Sequence, residues 1–373
     1  MSFFWFALVI GFLALVQMQF FFFTGLKKIY YRRYFNKTAV FEGETAEMVE
    51  ILENRKFTPV PWLRVESRIS PYLRFAKQED VDIRHEQFHK SVFFLRGFKR
   101  IRRRHSFLCS HRGFYTLKSA SLTTGDLLGL FNKFIRVPSD AYLYVYPRPL
   151  GIDEISPACL KWQGDVMMKR WILPDPILVN GIREYRPGDS QKYIHWGATA
   201  RTGRLQVKVR DYTVSPRLYL LLNTQISEEQ WGSILEHDDM EVIETGIRYA
   251  AHLASWAVSN GLEVGFACNG RLVDEEGVVR LPAACSQAHL EMILQAMAKL
   301  EIVRERNFHT LMDYLYEDAV TGMDFAVISP YWSDTLEKRA NKLRSLGNSV
   351  TYIPINADQV KSEVSETEAA KAV

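Results

Sequence analysis

Arg217-Leu218-Tyr219-Leu220-Leu221-Leu222 is apolar at every position after the first and stops at the polar Asn223. A short run with no alternation is what a strand looks like when both its faces are covered, the usual state of a parallel sheet between helices. The sequence that follows fits this reading. Ser227 and Gln230 have the spacing of a capping box, and Met240, Ile243, Ile247, Ala250, Ala251 and Ala254 recur at helical intervals. Apolar strands are expected again at 262–267, 323–328 and 349–353, with helices over 286–300, 308–315 and 333–346 between them. Strand and helix in alternation predict an α/β, Rossmann-like domain.

Upstream the pattern differs. From 38 to 147 the apolar residues alternate in short stretches with no long 3.6-residue period, which predicts an antiparallel β-sandwich of about seven strands. The segment 148–178 is rich in proline and reads as a connection rather than an element. The predicted organisation is therefore multidomain: an apolar anchor at 3–23, a β-sandwich at 38–147, the connection at 148–178, an α/β domain with the loop preceding it at 179–356, and a disordered polar tail at 358–373.

Within 3–23 no residue is charged and only Gln17 and Gln19 interrupt the apolar run. At 1.5 Å per residue it spans about 31 Å, close to the hydrocarbon thickness of a bilayer. Four phenylalanines end the run where a signal peptide would place small residues, so it reads as a retained single-pass anchor in the cell membrane. Lys27, Lys28, Arg32, Arg33 and Lys37 follow it, and the positive-inside rule then puts the body of the protein in the cytoplasm. Tyr30, Tyr31 and Tyr34 are placed to form an interfacial belt. The four cysteines have no metal-ligand spacing, and 47 basic against 43 acidic residues do not announce a nucleic-acid binder.

Three places could carry chemistry. His85-Glu86-Gln87-Phe88-His89 matches H-E-x-x-H, which on a helix binds zinc and activates water. Its flanks are strand formers and no acid follows before Gly125 to serve as a third ligand, so a zinc hydrolase is only an alternative. Lys99, Arg100, Arg102, Arg103 and Arg104 form a basic stripe that could meet the phosphates of anionic lipid, or less readily nucleic acid. On a strand it is more simply a solvated face.

The third place holds the most information. Gly181-Ile-Arg183-Glu-Tyr185-Arg-Pro187-Gly188-Asp189 precedes Ile194-His195-Trp196 and Ala200-Arg201-Thr-Gly-Arg-Leu205. Pro187-Gly188-Asp189 is turn chemistry with a carboxylate at its tip, which Arg183, His195 or Arg201 could engage. Asp189 and His195 could do acid and base work, but no nucleophile elbow or phosphate loop accompanies them, so a hydrolase here is again an alternative and no catalytic residue is assigned.

This third segment resembles the signature of the bacterial "domain of unknown function 58" family: G-x-R-x-Y-x-P-G-D, then I-H-W, then A-R-x-G-x-L, in that order and spacing. Arg112-Gly113-x-Tyr115, Asp126-x-x-Gly129-Leu-Phe131 and Val145-Tyr-Pro147 fit as well. The resemblance implies a membrane anchor, a β-sandwich-like domain, a region similar to von Willebrand factor A domains, and partnership with a MoxR-type AAA+ ATPase, with no established enzymatic activity. This chain departs from the pattern twice. Members usually have two hydrophobic spans, and this chain has one; where members with a metal-ion-dependent adhesion site read D-x-S-x-S, it has Asn223, Gln225 and Ser227. Without the carboxylate no metal is expected, and no other cofactor. The expected function is a non-enzymatic, membrane-anchored adaptor for the ATPase. Arg183, Tyr185, Pro187, Gly188, Asp189, His195, Trp196 and Arg201 would form its contact loop, with Trp196 packed beneath.

Overall fold

A computed structural model describes residues 2–75, 87–172, 179–186, 189–210, 217–230, 235–273 and 275–356. The chain divides into two compact units, Met1–Arg148 and Pro149–Val373.

The first unit opens with the helix α1 (Ser2–Thr24), whose segment Phe3–Thr24 is long and apolar enough to cross a membrane. Among the described residues nine strands follow: β1 (Ile29–Phe35), β2 (Ala39–Phe41), β3 (Thr45–Asn54), β4 (Val60–Ile69), β5 (Leu73–Phe75), β6 (Gln87–Leu95), β7 (Arg100–Cys109), β8 (Gly113–Gly125) and β9 (Asn132–Tyr146). They form two sheets, ordered β1-β3-β7-β5 and β2-β9-β8-β4-β6. Met48 and Phe107 of one sheet and Leu117, Leu143 and Val145 of the other share a core, which makes the unit a sandwich. Alternation sets the register on β4, where Leu63, Val65 and Ile69 point inward while Arg64 and Arg68 stay exposed. Pro61 has no N–H for the ladder, and the β4–β6 pairing slips between Val60 and Leu63 around it.

The sandwich begins at β1, earlier than the sequence suggests. Its residues pair with β3 from Ile29↔Asn54 to Phe35↔Met48, so the three tyrosines belong to a sheet. Tyr31 donates to the buried Glu50 at 2.7 Å, and Arg33, 4% exposed, donates to the Ser119 carbonyl at 2.8 Å. Period two and a membrane flank both allow Tyr and Arg in these positions, and only the partner strand decides between them.

In the second unit β12 (Arg217–Leu222), β13 (Glu263–Cys268), β15 (Val279–Ala284), β17 (Met323–Ser329) and β18 (Ser349–Pro354) form the core sheet, ordered β15-β13-β12-β17-β18, while β14 (Gly270–Leu272) and β16 (Leu300–Arg304) pair with each other. The four strands expected from sequence run parallel; β15, unexpected because Arg280 and Pro282 interrupt it, is the antiparallel edge. Both faces of β12 are covered. Tyr219 and Leu221 meet α6 (Phe308–Glu317) and α7 (Asp334–Ser345), and the opposite face meets α4 (His237–Ser259). Gly246 of α4 lies so close to the sheet that a Cβ there would sit 2.6 Å from Ile355 Cδ1. α5 (Gln287–Lys299) is capped by Ser286, whose hydroxyl accepts from His289 N at 3.0 Å.

Two local expectations fail. Gln230 does not form a capping box with Ser227: its Oε1 accepts from Ile226 N at 2.9 Å inside the loop, and α4 starts only at His237 with Asp238 and Asp239 in its first turn. The connection at 148–178 contains the helix α2 (Pro157–Ile172). Ser156 accepts from Cys159 N at 3.3 Å and Pro157 takes the first helical position, where proline starts a helix instead of breaking one. Cys159, Trp162 and Val166 are buried, and Trp162 packs on Trp256 of α4 at 6.2 Å between centroids.

Candidate functional site

The loop signature folds as a clamped hairpin. β10 (Val179–Glu184) and β11 (Gln206–Arg210) pair antiparallel, with Arg183 opposite Val207 and Glu184 opposite Gln206. The chain between them turns back through Asp189 and enters the short helix α3 (Trp196–Thr202), which Gly203 closes with a left-handed φ of 69°. Thr199 Oγ1 accepts from Gln206 N at 3.0 Å, and the His195 N–H donates to the Gln206 carbonyl at 2.8 Å, so α3 is tied to β11 from two sides.

Asp189 takes the arginine, not the histidine. Its Oδ1 and Oδ2 each accept from Arg183 at 2.7 Å, and Oδ2 also accepts from Arg186 N at 2.8 Å. The bidentate Arg183 guanidinium, with help from the Arg186 N–H, holds this carboxyl below the usual range. His195 caps α3, its Nδ1 accepting from Ala198 N at 3.1 Å. Among the described residues no hydrogen bond joins Asp189 to His195, so the acid–base pair suggested by sequence is not assembled.

Trp196 does not pack beneath the loop: it is 69% exposed. It is the first residue of α3. Arg201 is exposed on the same helix, Tyr185 is half-buried, and Ile182 and Leu205 are exposed apolar neighbours on the hairpin. Pro187 and Gly188 lie outside the described residues.

A second polar cluster, which the sequence reading did not assemble, sits at the carboxyl ends of β12, β13 and β17. Asn223 donates to Ser329 Oγ at 2.9 Å and accepts from Gln225 N at 3.0 Å. Asn269 Oδ1 accepts from Thr224 N and Oγ1 at 2.8 and 3.1 Å, while its Nδ2 donates to the Arg306 carbonyl at 3.1 Å. Gln225 Oε1 accepts from Phe308 N at 2.7 Å. All of these side chains are buried, and Ser227 is exposed outside the cluster. The ends of a parallel sheet near its switch point are where α/β domains bind ligands. Here the cluster's own side chains are neutral amides and hydroxyls that bond to one another. The signal in sequence was the polar residue directly after each apolar run: Asn223, Asn269 and Ser329.

The other two candidates lie in the sandwich, on β6 and β7. Residues 87–89 belong to β6, a strand, so the helix that H-E-x-x-H needs does not form there, and His85 and Glu86 lie outside the described residues. On β7, Arg102 donates to Tyr34 Oη at 3.2 Å and the Arg103 guanidinium lies 4.0 Å from the Phe93 ring centroid. Arg104 is exposed opposite Val49, so the stripe runs along the sheet, and only Lys99 and Arg100 are at the end that carries α1.

A helix-covered parallel α/β domain preceded by an Arg–Asp-clamped hairpin is the class of protein that this fold and site define. Residues 181–364 match the family described as "Protein of unknown function DUF58". No protein of curated function matches the sequence. Partial structural likenesses include a PapD-like domain of human CEP192, at 17% identity over 32% of this chain and 86% of that one with a TM-score of 0.20. The seventh ScaB type I cohesin of Pseudobacteroides cellulosolvens aligns at 10% identity over 33% of this chain and 96% of that one, TM-score 0.20. The sporulation control protein Spo0M of Bacillus subtilis aligns at 9% identity over 43% and 59%, TM-score 0.18.

Proposed function

We propose that the protein is a membrane-anchored, non-enzymatic adaptor whose clamped hairpin is a docking element for a partner protein on the cytoplasmic side. The observation that carries this reading is the combination of a rigid base and an exposed anchor. Both carboxylate oxygens of Asp189 are spent on ordering the loop, while Trp196 is left 69% exposed at its edge. Exposed tryptophan beside arginine is the composition of interface hot spots. The orientation follows from Lys27 and Lys28, both exposed immediately after α1.

The partner we assign is the MoxR-type AAA+ ATPase that the family resemblance implies, with the α/β domain in the role of a von Willebrand factor A-like module. Neutral amides stand where such modules carry a metal carboxylate, so docking here proceeds through shape and hydrogen bonds. Affinity capture from the native membrane fraction through a C-terminal tag, with ATP or ADP present, tests the reading. Nucleotide-dependent recovery of a MoxR-type ATPase by the wild type and its loss with Trp196→Ala are expected. Equal recovery by both would remove the hairpin from the interface, and a turnover that depends on Asp189 in a folded, partner-competent protein would overturn the adaptor reading altogether.

A further inference from the structure

We propose that the β8–β9 loop, Asp126-Leu127-Leu128-Gly129-Leu130-Phe131, inserts among lipid acyl chains beside α1, so that the sandwich is held to the bilayer by a second, non-helical contact. The proposal rests on α1 being a membrane anchor.

The loop is apolar and outward-facing. Leu127, Leu128 and Leu130 are 67%, 62% and 59% exposed, in a unit whose other leucines mostly line the core. An ordinary solvated turn has no reason to present three leucines. Nor is it loose, because the buried Asp126 carboxylate accepts from Leu128 N at 3.3 Å and Phe131 N at 3.2 Å, and Trp62 Nε1 donates to the Asp126 carbonyl at 3.1 Å. The leucines are therefore held outward by the loop's own hydrogen bonds.

The position of the loop along α1 identifies what covers it. Gln17 Nε2 donates to Asp126 Oδ2 at 2.7 Å, Leu127 N approaches Gln17 Oε1 at 3.4 Å, and the Phe131 ring meets Phe22 edge-on at 5.6 Å. The loop thus reaches back from the end of the helix at Thr24 to Gln17, about 10 Å at 1.5 Å per residue. Interfacial apolar faces sink about 5–10 Å into the boundary between headgroups and acyl chains. A helix that crosses the bilayer carries this loop to that depth. Gln17 also gains an explanation: a primary amide in the hydrocarbon region needs a partner, and the loop supplies both an acceptor and a donor.

The same end of the sandwich has further interfacial features. Lys133 donates to the Phe22 carbonyl at 3.1 Å with its ammonium 4.7 Å from the Phe22 ring, the arrangement of a lysine reaching from an apolar surface toward headgroups. Lys56 donates to the Thr24 and Gly25 carbonyls, and its neighbour Phe57 is 83% exposed.

The test uses the full-length chain in a Cys285→Ser background, which leaves only the buried Cys109, Cys159 and Cys268. An environment-sensitive fluorophore is attached at Leu128→Cys on the loop, Leu15→Cys on α1 or Lys37→Cys at the opposite end of the sandwich. Each variant is reconstituted in vesicles of phosphatidylethanolamine and phosphatidylglycerol with acyl-chain bromines. Quenching at 128 comparable to that at 15 and severalfold above that at 37 is expected. Quenching at 15 with none at 128 overturns the loop insertion while the anchor stands. Absence of quenching at both 15 and 128 removes the anchor and the insertion with it.

Discussion

The second unit contains two polar constellations built from the same hydrogen-bond chemistry in opposite surroundings. The amide cluster around Asn223, Gln225 and Asn269 is buried and neutral, and each of its bonds replaces water that cannot enter. The Arg183–Asp189 clamp is charged and shorter in its contacts, yet its arginine is 43% exposed and water competes for every bond. Short distances therefore mislead about stability. In the buried cluster a lost partner leaves an orphaned polar group, whereas at the clamp it leaves a solvated one. The cluster holds the strand ends together; the clamp shapes a surface.

That contrast is sharpest at Asn269. Asn269→Leu removes the acceptor of Thr224 N and Oγ1 and the donor to Arg306 O in one step. At about 1–3 kcal/mol per orphaned buried group, the loss should be roughly 3 kcal/mol or more, read as a lower urea midpoint with the m-value unchanged. A shift within error would mean that water reaches the strand ends and that the cluster is a binding pocket. Asn223→Ala should do less, about 1–3 kcal/mol, because Ser329 Oγ keeps its bond to the Tyr331 carbonyl at 2.7 Å.

The legibility of each region in sequence follows from the range of the interactions that make it. The four parallel strands and helices α5, α6 and α7 were readable because each is an apolar run with its own local signals, as Ser286 and Ser333 are for α5 and α7. α2 was not, because Pro157 as a helix starter and the prolines of a connection look the same until Cys159, Trp162 and Val166 find α4 and the sheet to pack on. β1 was hidden by the apolar run before it, which made its tyrosines and arginines look like a flank. In the site, Arg183 and Asp189 lie six residues apart and their pairing was among the options; the exposure of Trp196 depends on which way α3 leaves the hairpin, which no spacing reveals. The amide cluster needs the ends of three strands that are far apart in sequence, so only its members were visible, not their meeting.

Trp196→Ala carries the comparison to the surface. The side chain is 69% exposed, so thermal stability should stay where it is while partner capture falls severalfold or is lost. Lowered stability would show that Trp196 packs against something in the assembled protein. Asp189→Ala should likewise leave the global unfolding midpoint unmoved, but with a different signature: faster amide exchange confined to the hairpin, because the Arg186 N–H loses its acceptor along with the Arg183 guanidinium. Faster global unfolding or a lowered midpoint would move the clamp into the class of the buried cluster.

The smallest effect expected is that of pH on the clamp, and its sign is fixed by the direction of the Asp189 shift. Hydrogen bonds from Arg183, then from Arg186 N–H, depress the carboxyl in the folded hairpin below its ordinary value of about 3.9. A depressed carboxyl contributes fully at any pH above the unfolded value, and the contribution disappears as pH falls through the folded one. Exchange protection of the hairpin, corrected for intrinsic rates, should therefore be flat between about pH 8 and pH 5 and decline only in acid below the ordinary carboxylate range. Asp189→Asn should show at neutral pH the weakened protection that the wild type reaches only in acid, since the amide keeps the shape and loses the charge that orients the guanidinium. A wild-type profile that bends between about pH 5 and pH 8 would instead show that a group other than the Asp189 carboxyl holds the hairpin.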